Sequence, residues 1–277
     1  MNNKSTEEFE KCILERSLSD LHEFQNYQKL VLDSLSFFSN LCRDNNIDYY
    51  LAYGSLLGAI RDGGQIPWDY DVDVWVKIDD KDRLLEALKR SQSSDFYYDT
   101  RLINKKCRHY ILRICPVNHN IDVIHLDIFW LFGANEKKKK RLEKKRKKVR
   151  TIMRHKFSRI DYVDDGIWPK FRHIASKIIY FFYPTFLCDN FMKSIMKKSC
   201  CDVEYLAEDY ESIFKREWFD STMKIKFPNG EEYSVPCGYN DILNTIYGNY
   251  MNKPQFEITY REYNDSLKKI RKIDKIK

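Results

Sequence analysis

Three aspartates, Asp69, Asp71 and Asp73, alternate with apolar or aromatic residues in the run DYDVDV. On a β-strand, side chains two residues apart point to the same face. Carboxylates crowded on one face repel each other unless positive charge lies among them, and their oxygens are the ligands that Mg²⁺ prefers. The spacing therefore indicates a divalent metal site. The alternative is a group of acids in a turn or on an edge strand.

A Gly-Ser turn, Gly54-Ser55, precedes these acids and follows an apolar run. At a helix N-terminus, such a turn offers backbone N–H groups and a hydroxyl to a phosphate, and the helix dipole adds to the attraction. Phosphoryl transfer depends mainly on positioning and on cancelling phosphate charge, which a carboxylate-bound Mg²⁺ provides. Together, the turn and the acids predict phosphoryl-transfer chemistry.

Other charged residues leave alternatives open. Arg61 could hold a phosphate with two hydrogen bonds or pair internally with Asp69, which we interpret as an acid that shapes the loop. A third carboxylate on a neighbouring strand would complete a metal site. The candidates are Asp122 and Asp127, whose odd separation predicts opposite faces of one strand. Arg108 and Arg113 fit either contacts to donor phosphate or a place on the surface.

The elements that position these groups follow from hydrophobic periodicity. Apolar residues at spacings of three and four predict a helix over 20–44, and a strand, a short helix and a second strand follow. Asp79 or Asp80 is expected to cap the next helix. The predicted segments are a strand at 47–53, a helix at 56–61, a strand at 70–78, a helix to about 92, and strands at 96–102, 109–114 and 121–132.

The second half of the chain reads differently. A basic helix is predicted over 136–155, and one or two apolar helices over 171–198, broken near Pro184. Asn229-Gly230 marks a hairpin over 224–236, because this dipeptide suits the tight turn between two strands. Asp241 is expected to cap a helix through Tyr250, and the lysine-rich tail from Tyr260 is expected to fray.

Composition excludes several classes of protein. The 277 residues are 43% hydrophobic and 15% aromatic, which suffices for a sizeable core and argues against disorder. The 8 cysteines form no CxxC pair, so neither a zinc site nor a small disulfide scaffold is indicated. No GxxxxGK[ST] or GxGxxG motif supports a P-loop or dinucleotide-binding protein. The apolar stretch 174–188 falls short of the roughly 20 residues of a membrane-spanning helix.

The stretch LAYGSLLGAIRDGGQIPWDYDVDVWV, residues 51–76, resembles the LicD family within the nucleotidyltransferase superfamily of DNA polymerase β type. That family, which includes bacterial phosphocholine transferases and fukutin-related proteins, has a Gly-Ser/Thr-Leu-Leu-Gly turn, an Arg and Ile-Pro-Trp/Tyr-Asp-x-Asp-hydrophobic-Asp. The segment 125–129, HLDIF, is similar to the strand of the family's third acid. Residues 235–254 resemble its C-terminal segment, so the resemblance covers about 20–135 and 219–256.

The resemblance implies an α+β fold with a nucleotidyltransferase-like mixed β-sheet core flanked by helices. Residues 1–135 would form the N-terminal helix and catalytic core, 136–218 a basic and apolar helical insertion, and 219–277 a C-terminal hairpin and helix that complete the catalytic unit. Asp71 and Asp73 would bind Mg²⁺ or Mn²⁺. Asp127 would be a third ligand or the base, and the donor phosphate would lie at Gly54, Ser55 and Arg61.

The implied reaction moves a phosphocholine or phospho-alditol group from a CDP-linked donor to a sugar hydroxyl, with release of CMP. The acceptor would be a cell-surface glycan, a teichoic acid or a lipid-linked precursor, and no nucleic-acid partner is expected. Nucleotidyl transfer from an NTP is the first alternative, and a non-catalytic basic membrane-binding scaffold is the second.

The net charge of +7 is concentrated in residues 137–150, which suit either a solvated helix or a peripheral membrane surface. The polar, acidic N-terminus does not read as a signal peptide. The expected location is therefore the cytoplasm, with the inner face of the membrane as the site of any surface binding.

Overall fold

A computed structural model of the chain describes residues 9, 11–13, 17–135, 139–157, 166–209 and 212–274. The helices in the described residues are α1 (Leu18–Asp44), α2 (Tyr53–Arg61), α3 (Lys81–Ser91), α4 (Lys139–Phe157), α5 (Ile167–Phe181), α6 (Thr185–Ile195), α7 (Tyr239–Tyr247) and α8 (Phe256–Ile273). The strands are β1 (Tyr49–Leu51), β2 (Val72–Lys77), β3 (Phe96–Asp99), β4 (Leu112–Pro116), β5 (Leu126–Ala134), β6 (Tyr205–Glu208), β7 (Ile213–Lys215), β8 (Thr222–Lys226) and β9 (Glu232–Pro236).

Strand β5 is the centre of a seven-stranded mixed sheet. All nine of its residues are buried, as expected for a strand covered on both faces. One edge of β5 pairs with β2 in parallel, and the other edge pairs antiparallel with β4 near its start and with β6 near its end. Strands β1, β3 and β7 complete the sheet. The α+β class with a mixed sheet flanked by helices is thus confirmed.

The register of three strands aligns three charged residues. Asp73 on β2 and Arg113 on β4 both face Asp127 on β5. Residues at one register position of adjacent strands point to the same face of a sheet. The pairing therefore brings together residues that are 14 to 54 positions apart in the sequence.

Helix α1 covers one face of the sheet with an apolar stripe. Phe24, Val31, Leu35 and Phe38 recur at helical spacing and are completely buried. Helix α8 closes the same core, because Tyr263 lies edge-on against Phe24 with ring centroids 4.7 Å apart. The prediction that the tail frays is therefore wrong for α8, whose apolar side is buried against the core.

Three further predictions on elements need correction. Strands β6 and β7 lie within the range 136–218 that was predicted to be helical, and they extend the central sheet. Strand β5 begins at Leu126, so Asp122 lies in the turn before it and strand alternation says nothing about the face of this acid. Helix α7 begins after Gly238, so Asp241 lies in its first turn and does not cap it.

The predicted break near Pro184 and the predicted hairpin are confirmed. Helices α5 and α6 are separate elements on either side of that proline. Strands β8 and β9 pair antiparallel, and Gly230 in their turn has a φ of +85°, which favours glycine. The division of the chain at 135 and 218 stays a prediction.

Candidate active site

The first part of the site is the backbone of Asp73, which two groups of the preceding turn hold in place. Ala52 N–H donates a 2.9 Å hydrogen bond to the Asp73 carbonyl. Ser55 Oγ accepts a 2.8 Å hydrogen bond from Asp73 N–H. Gly54 and Ser55, which were predicted as a turn before a helix at 56–61, thus lie in the first turn of α2. Ala52 and Ser55 fix the strand that carries the acids, and the Ser55 hydroxyl can still donate its hydrogen.

Helix α2 begins in a strained conformation at this turn. Tyr53 has a φ of +44°, which is uncommon for a residue with a side chain and costs on the order of 1–3 kcal/mol. Its ring packs against Trp75 and Phe129, and its hydroxyl donates to the buried carboxylate of Glu208. Glu208 also accepts a 3.2 Å hydrogen bond from Trp75 Nε1, so this network holds Tyr53 in place.

The loop that carries Asp69 is fastened to helix α1. Gln28 Nε2 donates to the Asp69 carbonyl at 2.6 Å and to the Ile66 carbonyl at 3.2 Å. The absence of a side chain at Gly54 lets the loop approach, since a Cβ there would lie 2.8 Å from Asp69 Oδ2. A side chain at this position would therefore displace the Asp69 carboxylate from its place in the site.

The acids strongly influence each other. Burial raises the pKa of Asp73 well above its ordinary value, and the negative charges of Asp71 and Asp127 add to the effect. Burial and the neighbouring Asp71 likewise raise the pKa of Asp69. Partly buried carboxylates this close repel each other, and a divalent cation between them would remove the repulsion.

Asp127 has the opposite electrostatic environment. Although burial opposes ionisation, the positive charge of Arg113 lowers the pKa of Asp127, and His125 adds to the effect. Arg113 donates from Nε and Nη2 to the two Asp127 oxygens at 2.7 and 3.3 Å, and His125 Nε2 lies 3.4 Å from Oδ1. Asp127 is therefore an ionised, paired carboxylate.

Asp122, the rival third acid, joins the same charged cluster. Its Oδ1 lies 2.9 Å from Nη2 of Arg108 and 3.5 Å from Nη1 of Arg113. Both arginines therefore lie in the site and not on a remote surface. The sequence alone could not decide between the site and the surface for these arginines, because only the register of β4 and β5 shows which way Arg113 points.

The carboxylate oxygens of Asp71 and Asp73 are the kind of donor that a divalent metal prefers. A space of about 10 Å³, about that of one water molecule, is lined by Gly54, Ser55, Asp69 and Asp71 among others, but not by Asp73. Within the described ranges, no three His, Cys, Asp or Glu residues lie in an arrangement that could hold a metal ion. Arg113 occupies the Asp127 carboxylate, so this third acid would have to exchange partners to bind the metal.

Arg61 pairs with an acid that the sequence did not suggest. Its Nε and Nη2 donate to Asp62 Oδ2 at 3.0 and 2.8 Å, and both side chains are almost completely buried. The guanidinium carbon also lies 5.7 Å from the centre of the Trp68 ring. The internal pair is thus formed with Asp62 and not with Asp69, and Arg61 supports the loop in the described structure.

Two residues near the C-terminus approach the acids and were not among the predicted site residues. Helix α7, which ends at Tyr247, packs against helix α2. Tyr247 is 42% exposed, and partial burial together with the negative charges of Asp73, Asp69 and Asp71 raises its pKa. Lys269 Nζ donates a 3.2 Å hydrogen bond to the Tyr70 hydroxyl. The likeness of residues 235–254 to the family's last segment was the signal that could have identified Tyr247.

A cavity of about 390 Å³ opens beside the Asp127–Arg113 pair. Helix α4 and the segment before β4 form much of its wall, and the lining includes five arginines: Arg108, Arg113, Arg146, Arg150 and Arg154. Clustered guanidinium groups bind phosphate and carboxylate oxygens well. The cavity thus offers an anionic ligand a place directly next to the acids.

Comparison with known proteins agrees with this geometry. A family model described as "LicD/FKTN/FKRP, nucleotidyltransferase domain" matches residues 46–165, which include the Gly-Ser turn and all the acids. Residues 46–165 are thus similar to a nucleotidyltransferase domain. The lipopolysaccharide cholinephosphotransferase LicD of Haemophilus influenzae is 24% identical over 245 residues, covering 83% of this chain and 92% of that protein.

The ribitol 5-phosphate transferases FKRP of mouse and human match a shorter segment. Each is 56% identical over 34 residues, which is 12% of this chain and 7% of those proteins. The family model over residues 46–165 and the long match to the Haemophilus protein support the LicD family for this chain.

Proposed function

We propose that this protein is a metal-dependent phosphotransferase of LicD type. It moves a phosphocholine or phospho-alditol group from a CDP-linked donor to a sugar hydroxyl and releases CMP. The observation that carries the proposal is the row Asp73–Asp127–Arg113 across three strands, with Asp71 beside it and the Gly-Ser turn holding its backbone. The names of the two kinds of relatives, a cholinephosphotransferase and a ribitol 5-phosphate transferase, support this class of reaction.

In this proposal Asp71 and Asp73 hold Mg²⁺ or Mn²⁺. When bound, the metal neutralises phosphate charge and orients the donor diphosphate. Burial and the neighbouring negative charges raise the pKa of Asp73, and the repulsion among the acids favours binding of a cation.

Asp127 is better suited to bind a cation as a fixed negative charge than to act as a general base. A general base works best when its pKa lies near the operating pH, whereas Arg113 lowers the pKa of Asp127. We therefore propose that Asp127 is the third acid of the metal site. With Asp127 on the metal, Arg113 would be available to donate two hydrogen bonds to oxygens of the donor phosphate, a geometry that suits a guanidinium.

The arginine-lined cavity offers a second place where an anionic group of the donor or acceptor could bind. Arg108 and Arg113 line it and also contact the acids, so a ligand in the cavity lies next to the reacting phosphate. A glycan linked to a lipid carrier through phosphate, or the donor diphosphate itself, carries the charge that this lining recognises.

The test is metal-dependent CMP release from CDP-choline, CDP-ribitol and CDP-glycerol, each with a glycan or lipid-linked sugar as acceptor. Turnover with one donor, abolished by EDTA and restored by Mg²⁺ or Mn²⁺, is the expected result. Asp82→Asn, an exposed acid on α3, is the matched control for Asp71→Asn and Asp73→Asn.

Two outcomes contradict the proposal. Pyrophosphate release from CTP or ATP, with no turnover of any CDP-linked alcohol, would identify nucleotidyl transfer instead. Full CMP release by Asp71→Asn and Asp73→Asn would show that the acids are not the metal site.

A further inference from the structure

An outward-facing apolar surface covers helices α5 and α6. Eighteen large apolar side chains are exposed among the described residues, and ten of them lie between positions 167 and 187. Monomeric proteins in water seldom expose so many apolar groups together. The ten, which we call the apolar face, are Ile167, Trp168, Phe171, Ile174, Ile178, Ile179, Phe181, Phe182, Phe186 and Leu187.

The spacing in α5 makes this surface continuous. Ile167, Phe171, Ile174 and Ile178 are separated by four, three and four residues, so they form one stripe along the helix. Each of them is between 46% and 85% exposed. The helix is therefore amphipathic in the usual sense, but its apolar side points away from the protein core.

Contacts on the opposite side fix this orientation. The Tyr180 ring stacks on His155 of α4 with ring centroids 5.3 Å apart and an angle of 6° between the planes. Lys156 Nζ donates to the carbonyls of Phe181 and Tyr183 at 2.8 and 2.7 Å. His173 is the one residue of α5 that is buried. The outward direction of the apolar face thus follows from defined packing against α4.

The charges around the apolar face are almost all positive. Residues 166–198 contain six Lys or Arg and one acid, Asp189. That acid is occupied, because Arg101 Nε and the Tyr110 hydroxyl donate to it at 2.8 and 2.6 Å. The adjacent helix α4 has eleven Lys or Arg between 139 and 157 and one acid, Glu143. One of the eleven, Arg146, is buried and donates to the Glu208 carbonyl, so it does not add to the surface charge.

We propose that the apolar face is a membrane-binding surface for a bilayer rich in anionic phospholipids. Apolar side chains enter the acyl boundary, while the surrounding lysines and arginines contact the headgroups, as in helices that lie in the plane of a membrane. Trp168, which is 75% exposed, has the side chain most typical of the membrane–water boundary.

The helix lies on the membrane and does not cross it. No helix in the described part of the chain has the length and apolarity that spanning requires. A protein partner would also cover apolar side chains, but the surplus of positive charge on both sides of the face matches an anionic lipid surface. This binding is independent of the proposed reaction.

The experiment is flotation of the full chain with vesicles of phosphatidylcholine alone or mixed with phosphatidylglycerol, without substrate. We expect binding to the mixed vesicles that weakens with added salt. The variant Phe171→Ser/Ile178→Ser/Phe182→Ser should reduce partitioning by about tenfold or more, because three inserted apolar side chains are lost.

The matched control replaces three exposed apolar residues elsewhere, Ile103→Ser/Val117→Ser/Met223→Ser, and should float like the unaltered chain. A second readout uses Trp168 itself. Lipids brominated in the acyl chain should quench its fluorescence, and Trp168→Phe should remove the quenching. The other four tryptophans are at least partly buried, so they contribute little to the quenched signal.

Three results would overturn the proposal. The chain could stay in the aqueous phase with both kinds of vesicle, or the apolar-face variant could float as well as the control. The third is a concentration-dependent oligomer that the apolar-face variant abolishes, with no flotation of the unaltered chain, which would show that a second copy covers this face. CMP release from a soluble donor is measured separately, so failure of the reaction and failure of membrane binding are distinguishable.

Discussion

The central sheet and the α5–α6 pair place apolar and charged residues in opposite ways. In the sheet, β5 buries all nine residues, and the charged residues converge on one cluster beside Asp127. In α5 and at the start of α6, large apolar side chains point outward, although Cys188, Met192 and Ile195 of α6 are buried. The apolar residues of the sheet are buried within the protein. Those of the apolar face leave water only if another apolar surface, such as the proposed membrane, covers them.

This contrast shows that apolar content alone does not identify a core. The segment 121–134 and the segment 167–187 are both rich in aromatic and branched residues. Most of the first forms β5, which lies between β2 on one edge and β4 and β6 on the other, so these residues are buried. In the segment 167–187, the side of α5 that carries His173 and Tyr180 packs against α4, and the apolar side does not.

Asp73→Asn should produce the largest effect on activity. Loss of one metal-binding carboxylate is expected to reduce kcat by at least about 10²–10³-fold, as for other groups that stabilise transition-state charge. The cation-free variant should be at least as stable as the unaltered chain, because one repelling carboxylate is removed. Steady-state CMP release and urea unfolding measure the two quantities. Lower stability together with unchanged turnover would assign Asp73 a structural role only.

Arg113→Ala should have the largest effect on stability, about 3–5 kcal/mol, because it leaves the Asp127 charge buried and unpaired. The double variant Arg113→Met/Asp127→Leu should recover most of this loss and remain inactive. Removal of the exposed pair through Arg216→Ala should change the unfolding free energy by about 0–1 kcal/mol. Equal losses for the buried and exposed pairs would contradict this account of the cluster.

A paired truncation compares the two apolar regions directly. Leu126→Ala in β5 should cost about 2–5 kcal/mol, since it opens a cavity in a close-packed core. Ile178→Ala on the apolar face should change the unfolding free energy in solution by no more than about 0.5 kcal/mol. Chemical denaturation in the absence of vesicles distinguishes them, and a large loss for Ile178→Ala would mean that this face is covered within the protein.

The acid cluster should make stability depend on pH in a way that a metal reverses. Because the pKa values of Asp69 and Asp73 are raised in the folded state, the folded chain binds more protons than the unfolded chain above about pH 4. Their contribution therefore falls as pH rises through that window. Urea unfolding in EDTA should show this decline, and saturating Mg²⁺ should remove it. Asp73→Asn should flatten the decline in EDTA, and an unchanged slope would place the cause elsewhere.

Gln28→Ala should have the smallest effect of the series. It removes the hydrogen bonds that fasten the loop at Asp69, at a cost of about 1 kcal/mol in stability. The loop positions the acids, so kcat should fall more than KM rises. Gln28→Glu, which keeps the size but not the donor, should behave like Gln28→Ala. A change in KM alone would point to a substrate contact instead of positioning.

The amino-acid sequence by itself determined most of the candidate site residues and most of the helices and strands. The alternation of Asp71 and Asp73 with valines, the Gly-Ser pair and the apolar stripe of α1 are all local patterns. The spacing of residues along a strand or helix determines which side chains share a face. The same holds for the hairpin at Asn229-Gly230 and for the break at Pro184. The family resemblance named Asp127, which spacing alone could not separate from Asp122.

Only the tertiary structure decided which groups meet. The pairing of β4 with β5 brought Arg113 to Asp127, the end of α2 placed Arg61 on Asp62, and the fold carried Tyr247 to the acids. The first contact depends on strand register, the second on the geometry at the end of a helix, and the third joins residues that are distant in the chain. Periodicity carries no information on any of these. The same reason explains why the outward direction of the apolar face was invisible in the sequence: a helix shows which residues share a side, but only its packing partner determines which side is buried.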